Sequence, residues 1–163
     1  MATLIEQASA LLEICRRKQL RIATAESCTG GLIAAMLTEI PGSSDVVERG
    51  FVTYSNAAKQ VMLNVPAATI SQFGEVSRET AEAMATGALA NSPAELAVSV
   101  TGIAGPGGAR PGKPVGLVHF AAASRRGGLV HREKRFGDIG RSQVRHASVV
   151  EALDMLRVLA EAQ

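Results

Sequence analysis

A serine at a predicted strand-to-helix turn is the residue of this sequence whose type and position best suit chemistry. Ser27 lies in the segment Glu26–Gly31, directly after a short apolar run. At such a turn a hydroxyl is exposed beside backbone N–H groups, which bind a phosphate or stabilise an oxyanion. Gly30 and Gly31 allow the backbone to approach a ligand closely. Taken alone, however, the position favours a helix cap made by Ser27 or Thr29.

A serine nucleophile needs a base, and a lysine is the best candidate. The three histidines fall in strand or helix contexts away from the polar loops, and none flanks Cys28, which competes as nucleophile. Lys59 follows Tyr54 by five residues, on the first turn of a predicted short helix, where the helix N-terminus disfavours an added cation. Desolvation and nearby positive charge lower a lysine pKa from about 10.4 towards about 7–8, as a general base requires. The alternative is an ordinary surface lysine.

A glycine-rich segment is the third candidate for ligand binding. Thr101–Gly108 holds four glycines directly after a buried apolar run, but it lacks the spacing of a Walker or dinucleotide motif. Its backbone would suit a phosphate or a ribose, and a plain turn is the alternative. Arg141 and Arg145 lie four residues apart and share one helix face, which suits a phosphate or surface salt bridges equally.

Alternating strands and helices must position these three segments. Helices are predicted at about residues 3–18, up to about 39, 56–63, 77–90 and from about 141, and strands at 20–25, 46–54, 95–100, 115–123 and 129–136. This order predicts a three-layer α/β/α sandwich with a mixed, mostly parallel sheet of about five strands. Ligands collect at the carboxyl ends of such strands, so we expect the three segments to meet there.

Composition narrows the class of protein. The 163 residues fit one domain, residues 1–163. An aromatic content of 3% disfavours binding of single-stranded nucleic acid, and a net charge of +2 is too small to argue by itself for nucleic acid or a membrane. Two cysteines and no His/Cys/carboxylate cluster at ligand spacing predict no metal.

The N-terminus is typical of an amphipathic helix rather than a signal peptide, and no apolar run would span a membrane, so we expect a cytoplasmic protein. The basic stretch Arg125–Arg135 is interpreted as the solvated face of a hairpin.

Four segments together resemble the C-terminal domain of the competence/damage-inducible protein A (CinA) family. They are Ala25–Gly31, Gly50–Asn56 with Lys59, Thr101–Pro106 and Lys113–Gly116, in the family's order and spacing. The likeness covers almost the whole chain and is to the stand-alone form, without the amino-terminal molybdopterin-binding-like domain of longer members.

The resemblance implies a nicotinamide-nucleotide amidase, which converts nicotinamide mononucleotide and water to nicotinate mononucleotide and ammonia in pyridine nucleotide salvage. It implies Ser27 as nucleophile, Lys59 as base and Tyr54 nearby. Arg141 matches the family arginine, although Ile139-Gly140 separate it from Asp138, which departs from the commonest spacing. The expected substrate-binding residues are Thr29, Gly30, Gly31, Thr101, Gly102, Gly105 and Arg141.

No cofactor is expected, and the partner is a small nucleotide rather than nucleic acid or membrane. Association with further copies of the chain stays open. The alternative from another class is a non-catalytic nucleotide-binding or regulatory module of the same fold, which would retain the pocket without its chemistry.

Overall fold

A single five-stranded sheet organises the protein, whose computed structural model describes residues 2–163; Met1 of the predicted domain lies outside them. The strands are β1 (Ile22–Glu26), β2 (Val47–Val52), β3 (Leu96–Gly102), β4 (Leu117–Ser124) and β5 (Leu129–Arg135). Their order across the sheet is β2-β1-β3-β4-β5. β1 pairs in parallel with β2 and β3, whereas β4 runs antiparallel to β3 and β5. The predicted mixed sheet is confirmed, with four strands running in one direction.

Within residues 2–163, six helices flank the sheet. They are α1 (Leu4–Lys18), α2 (Leu32–Thr38), α3 (Asn56–Leu63), α4 (Ala67–Phe73), α5 (Arg78–Ala90) and α6 (Arg141–Glu161), with a 3-10 turn at Ser43–Asp45. Ser77 caps α5 as predicted, since its Oγ accepts from the Thr80 N–H. Helix α4 and the 3-10 turn were not predicted from the sequence. None of the α4 residues is buried, so this helix has no apolar period by which to be recognised.

Helices cover both faces of the sheet. On one face, Ile22 and Val98 pack with α1, α2 and α6; on the other, Ala23 and Ala97 pack with α3 and α5. Because β1 and β4 are buried along their whole length, both faces of these strands need an apolar cover. The predicted three-layer α/β/α fold is therefore confirmed.

Close packing of α3 on α5 determines where Lys59 lies. A Cβ at Gly87 of α5 would collide with the carbonyl group of Leu63, at the end of α3. Glycine at this position therefore lets α3 approach α5 closely, which fixes the helix that carries the lysine.

The basic stretch forms the predicted hairpin, but two of its arginines are not simply solvated. The guanidinium of Arg125 donates to the carbonyls of Leu89, Ser92 and Ala94, near the end of α5. Arg132 lies 2.7 Å from a Glu151 carboxylate oxygen and 2.8 Å from one of Asp154, both on α6. The hairpin is thus tied to the helices on either face of the sheet.

Candidate functional site

Ser27 and Lys59 meet at the carboxyl ends of β1 and β2. Lys59 Nζ lies 2.9 Å from Ser27 Oγ and donates to the Thr53 carbonyl oxygen at 2.7 Å. The lysine side chain is fully buried. Burial lowers the pKa of Lys59, and the negative charges that Glu75 and Cys28 would carry act in the opposite direction. The alternative of an ordinary surface lysine is wrong, because this amine is enclosed against a hydroxyl.

Local structure explains how the lysine reaches the serine. The Thr53 N–H donates to the Glu26 carbonyl at 2.8 Å, and the Ser27 N–H donates to the Val100 carbonyl at 3.0 Å, so the ends of three strands are joined. Ser55 caps α3 by accepting from the Ala58 N–H at 3.0 Å. The helix therefore starts immediately after β2 and directs its first-turn lysine back under the end of β1.

A buried carboxylate positions the serine loop. Glu26 is fully buried, and its oxygens accept hydrogen bonds from Thr29 Oγ1 at 2.6 Å, the Ile33 N–H at 2.9 Å and the Ala34 N–H at 3.0 Å. The interpretation of Ser27 or Thr29 as the helix cap is wrong, because Glu26 satisfies the first N–H groups of α2. The signal in the sequence was a carboxylate at the end of an apolar strand, which must find partners if it is buried.

Six of the predicted site residues border one cleft of about 280 Å³. They are Ser27, Tyr54, Thr101, Gly102, Gly105 and Arg141. Within it, Thr101 Oγ1 donates to the Glu75 carbonyl at 2.7 Å and is therefore already engaged.

Thr29, Gly30 and Gly31 do not line this cleft. The Thr29 side chain turns inward to Glu26, and a Cβ at Gly30 would face the Arg145 guanidinium. Gly30 and Gly31 both have positive φ, at 57° and 103°, so glycine here serves the turn itself.

The two arginines of α6 have different surroundings. Arg141 borders the cleft, where its Nη1 donates to the Gly105 carbonyl at 2.8 Å and its Nη2 to Tyr54 Oη at 3.0 Å. Arg145 instead donates from Nε to the Cys28 carbonyl at 3.1 Å, behind the serine loop. Arg141 thus borders the cleft, whereas Arg145 braces the serine loop from behind.

Neither the thiol nor a histidine competes well for the chemistry. Burial raises the pKa of Cys28 to about 12, so its thiolate is disfavoured. His119 and His131 face each other across β4 and β5, with Nδ1 and Nε2 2.9 Å apart, and neither lines the cleft.

Sequence reasoning missed an ion pair at the mouth of the cleft. Arg110 Nη1 lies 2.8 Å from Glu75 Oε1, and both residues line the cleft. Their contact depends on the path of two loops, and no spacing in the sequence indicated it. Partial burial alone would raise the pKa of Glu75, but the Glu75 backbone N–H and Arg110 together lower it.

Residues 2–163 contain neither a membrane-spanning helix nor a group of side chains suited to a metal ion. No helix in that range is long and apolar enough to cross a membrane. No three His, Cys, Asp or Glu side chains in the same range are grouped so as to hold a metal ion.

Known proteins resemble this chain over nearly its whole length. The family model described as the CinA C-terminal domain matches residues 4–160. Nicotinamide-nucleotide amidohydrolase PncC from Pseudomonas putida is 49% identical over 149 residues, which are 91% of this chain and 92% of that protein. A putative competence-damage inducible protein from Caldicellulosiruptor bescii is 46% identical over 148 residues, 90% of this chain but 35% of that protein.

Solved structures agree with these matches. The crystal structure of competence/damage inducible protein CihA from Agrobacterium tumefaciens superposes with a TM-score of 0.94 at 54% identity, covering 98% of this chain and 99% of that one. A CinA superfamily protein from Escherichia coli superposes with a TM-score of 0.90 at 33% identity, covering 97% and 90%. The chain spans about a third of the length of the Caldicellulosiruptor relatives and nearly all of the Pseudomonas protein.

Proposed function

Because this chain belongs to the CinA C-terminal domain family, we propose that it is an amidohydrolase that converts nicotinamide mononucleotide and water to nicotinate mononucleotide and ammonia. The name of the Pseudomonas relative supports the substrate and reaction. The observation that carries the proposal is the 2.9 Å contact between Lys59 Nζ and Ser27 Oγ at the floor of the cleft. An amine with a lowered pKa beside a serine hydroxyl is the arrangement that activates a nucleophile.

The first half of the reaction is acyl transfer to the enzyme. Neutral Lys59 takes the proton of Ser27 as its Oγ attacks the carboxamide carbon, which the positive pyridine ring makes more electrophilic. The oxyanion accepts hydrogen bonds from the N–H groups of the serine loop; those of Cys28 and Thr29 donate to no backbone carbonyl. Protonated Lys59 then gives its proton to the leaving nitrogen, and ammonia departs.

The second half returns the enzyme to its starting state. Water attacks the nicotinoyl ester as Lys59 takes a proton from it, and the same proton goes back to Ser27 Oγ when the ester breaks. Nicotinate mononucleotide is the product. Every proton in this cycle moves through one lysine, so the scheme needs no cofactor.

Recognition of the nucleotide falls to the glycine-rich segment and to Arg141, which border the same cleft as Ser27. Glycines let the backbone approach a phosphate closely, and Arg141 adds a guanidinium suited to phosphate oxygens. Binding energy gained there orients the carboxamide against Ser27.

Ammonia release from nicotinamide mononucleotide tests the proposal. We expect the wild-type protein to release ammonia, and Ser27→Ala to lose at least about 10³-fold in kcat with its fold intact. Cys28→Ala is the matched control on the same loop and should keep most of the rate. Binding without turnover by the wild type would favour the non-catalytic module, and a loss confined to Cys28→Ala would move the nucleophile to the thiol.

A further inference from the structure

The cleft presents one negative charge to a ligand. Among its lining residues Glu75 is the one acidic side chain within residues 2–163, and about a third of that side chain is exposed. Glu26, the other carboxylate at this end of the sheet, is fully buried and committed to α2. A cationic ligand that enters the cleft therefore meets the Glu75 carboxylate.

The backbone that carries Glu75 is firmly held. The Glu75 carbonyl accepts from Thr101 Oγ1 at 2.7 Å, and the preceding Gly74 carbonyl accepts from Ser77 Oγ at 2.9 Å and Thr80 Oγ1 at 2.7 Å. These bonds join the segment to β3 and to the start of α5, so the carboxylate projects from a fixed point.

Arg110, the ion-pair partner of Glu75, projects from a turn at the surface. Arg110 and Lys113 exchange backbone hydrogen bonds of 2.9 and 2.8 Å, and Lys113 Nζ donates to the Phe73 carbonyl at 2.7 Å. The turn is thus anchored through Lys113, while the Arg110 side chain is 44% exposed and makes its ion pair near solvent. An exposed pair of this kind contributes about 1 kcal/mol or less, so Arg110 is readily displaced.

We propose that Glu75 is a specificity-determining residue that receives the positively charged pyridine ring of the substrate, and that Arg110 is the counter-ion which the ring replaces. This inference rests on the proposed function, whose substrate carries a permanent positive charge on the ring nitrogen. Exchanging one cation for another spares the partly buried carboxylate the cost of losing its partner. An uncharged ring of the same shape would have to leave the Glu75–Arg110 pair intact or break it without compensation.

The position of the carboxylate suits a ring whose carboxamide must reach Ser27. The charge of Glu75 acts on Lys59, where it opposes the lowering of the pKa by burial. Ser27 and Glu75 border the same cleft, so a ring held against Glu75 can present its carboxamide to Ser27.

Binding to the Ser27→Ala protein tests the inference without turnover. Calorimetry would compare nicotinamide mononucleotide with benzamide ribotide, an isostere in which carbon replaces the charged ring nitrogen. In the Ser27→Ala background, Glu75→Gln should weaken the mononucleotide about tenfold, equivalent to about 1.4 kcal/mol, and change the isostere less than twofold. Arg110→Gln is the matched control from the other half of the pair. It should raise the preference for the charged ring by about threefold, because a competing cation is gone.

Each result decides the matter. Equal weakening of both ligands by Glu75→Gln would reduce Glu75 to a structural role, and a preference at or below the parent value in Arg110→Gln would overturn the counter-ion role. The proposed function fails separately, if the wild-type protein releases no ammonia from the mononucleotide. A wild type that releases ammonia while Glu75→Gln keeps the full preference for the charged ring would overturn this inference alone.

Discussion

The two sides of the cleft hold their charged groups in opposite ways. On one side, which we call the wall, Glu26 and Lys59 are fully buried. Ser27 there bonds to Val100 of β3, to Gly30 in its own loop and to Lys59. On the other side, which we call the rim, Glu75 and Arg110 are partly exposed and pair mainly with each other. Burial lowers the pKa of Lys59 in the wall, whereas charge at the rim stays available to a ligand. The comparison predicts that wall variants lower kcat and rim variants change KM.

The largest effect is expected in the wall, at the base. Lys59→Met should lower kcat for ammonia release by about 10²–10⁴-fold, because it removes the proton acceptor while keeping a long apolar stem. The wild-type rate should fall as the pH is lowered and Lys59 becomes charged. The apparent pKa of this acidic limb should lie below the value of about 10.4 of an ordinary lysine, since burial lowers it.

Lys59→Arg is the matched control for charge. It keeps a cation beside Ser27 that does not deprotonate, so it should be as inactive as Lys59→Met if the lysine acts as a base. A Lys59→Met protein with most of its activity and an unchanged acidic limb would make the base another group.

The next largest effect separates the two arginines of α6. Arg141→Ala should raise KM for nicotinamide mononucleotide by about 10–100-fold, the value of one charge-assisted contact to phosphate, and should narrow the preference over nicotinamide riboside. Arg145→Ala should instead lower kcat and the Tm at unchanged preference, because it releases the Cys28 carbonyl behind the loop. Steady-state kinetics on both substrates check this. If Arg141→Ala keeps the full preference for the mononucleotide over the riboside, the glycine-rich loop alone binds the phosphate.

A smaller effect is expected at Glu26, the buried carboxylate of the wall. Glu26→Gln should lower the free energy of unfolding by about 1–3 kcal/mol, because an amide cannot reproduce the contacts that two carboxylate oxygens make to α2. It should also lower kcat, because those contacts hold the serine loop. Thr3→Ala removes the cap of α1, far from the cleft, and should cost about 1 kcal/mol while leaving kcat unchanged. If Glu26→Gln and Thr3→Ala lower kcat equally for the same loss of stability, Glu26 has no special role in holding the serine loop.

The same contrast explains what could be predicted from the sequence. Ser27 and Lys59 each follow a strand whose end the apolar pattern locates, and parallel strands bring their carboxyl ends together, so the meeting of the two residues was predictable. The direction in which the next turn faces was not. Thr29, Gly30 and Gly31 therefore lie outside the cleft, although they share a segment with Ser27. Likewise the meeting of the Glu75 loop with the glycine-rich segment depends on tertiary packing that no local pattern records.

The smallest expected effect is that of the Glu75 charge, at the rim, on the pKa of Lys59, in the wall. Because the negative charge of Glu75 favours the protonated form of Lys59, it opposes the lowering of the lysine pKa by burial. Glu75→Gln removes that charge, so the pKa of Lys59 should fall further and the amine should stay neutral at lower pH. The acidic limb of kcat/KM should then move to lower pH. This direction is opposite to that expected if the variant merely loosened the site and let water reach the lysine. Arg110→Gln is the control, because it leaves the carboxylate without its screening partner and should move the limb to higher pH. The pH profile of kcat/KM reports the free enzyme, in which Arg110 still pairs with Glu75. Limbs that coincide in all three proteins would mean that the rim does not reach the reacting groups.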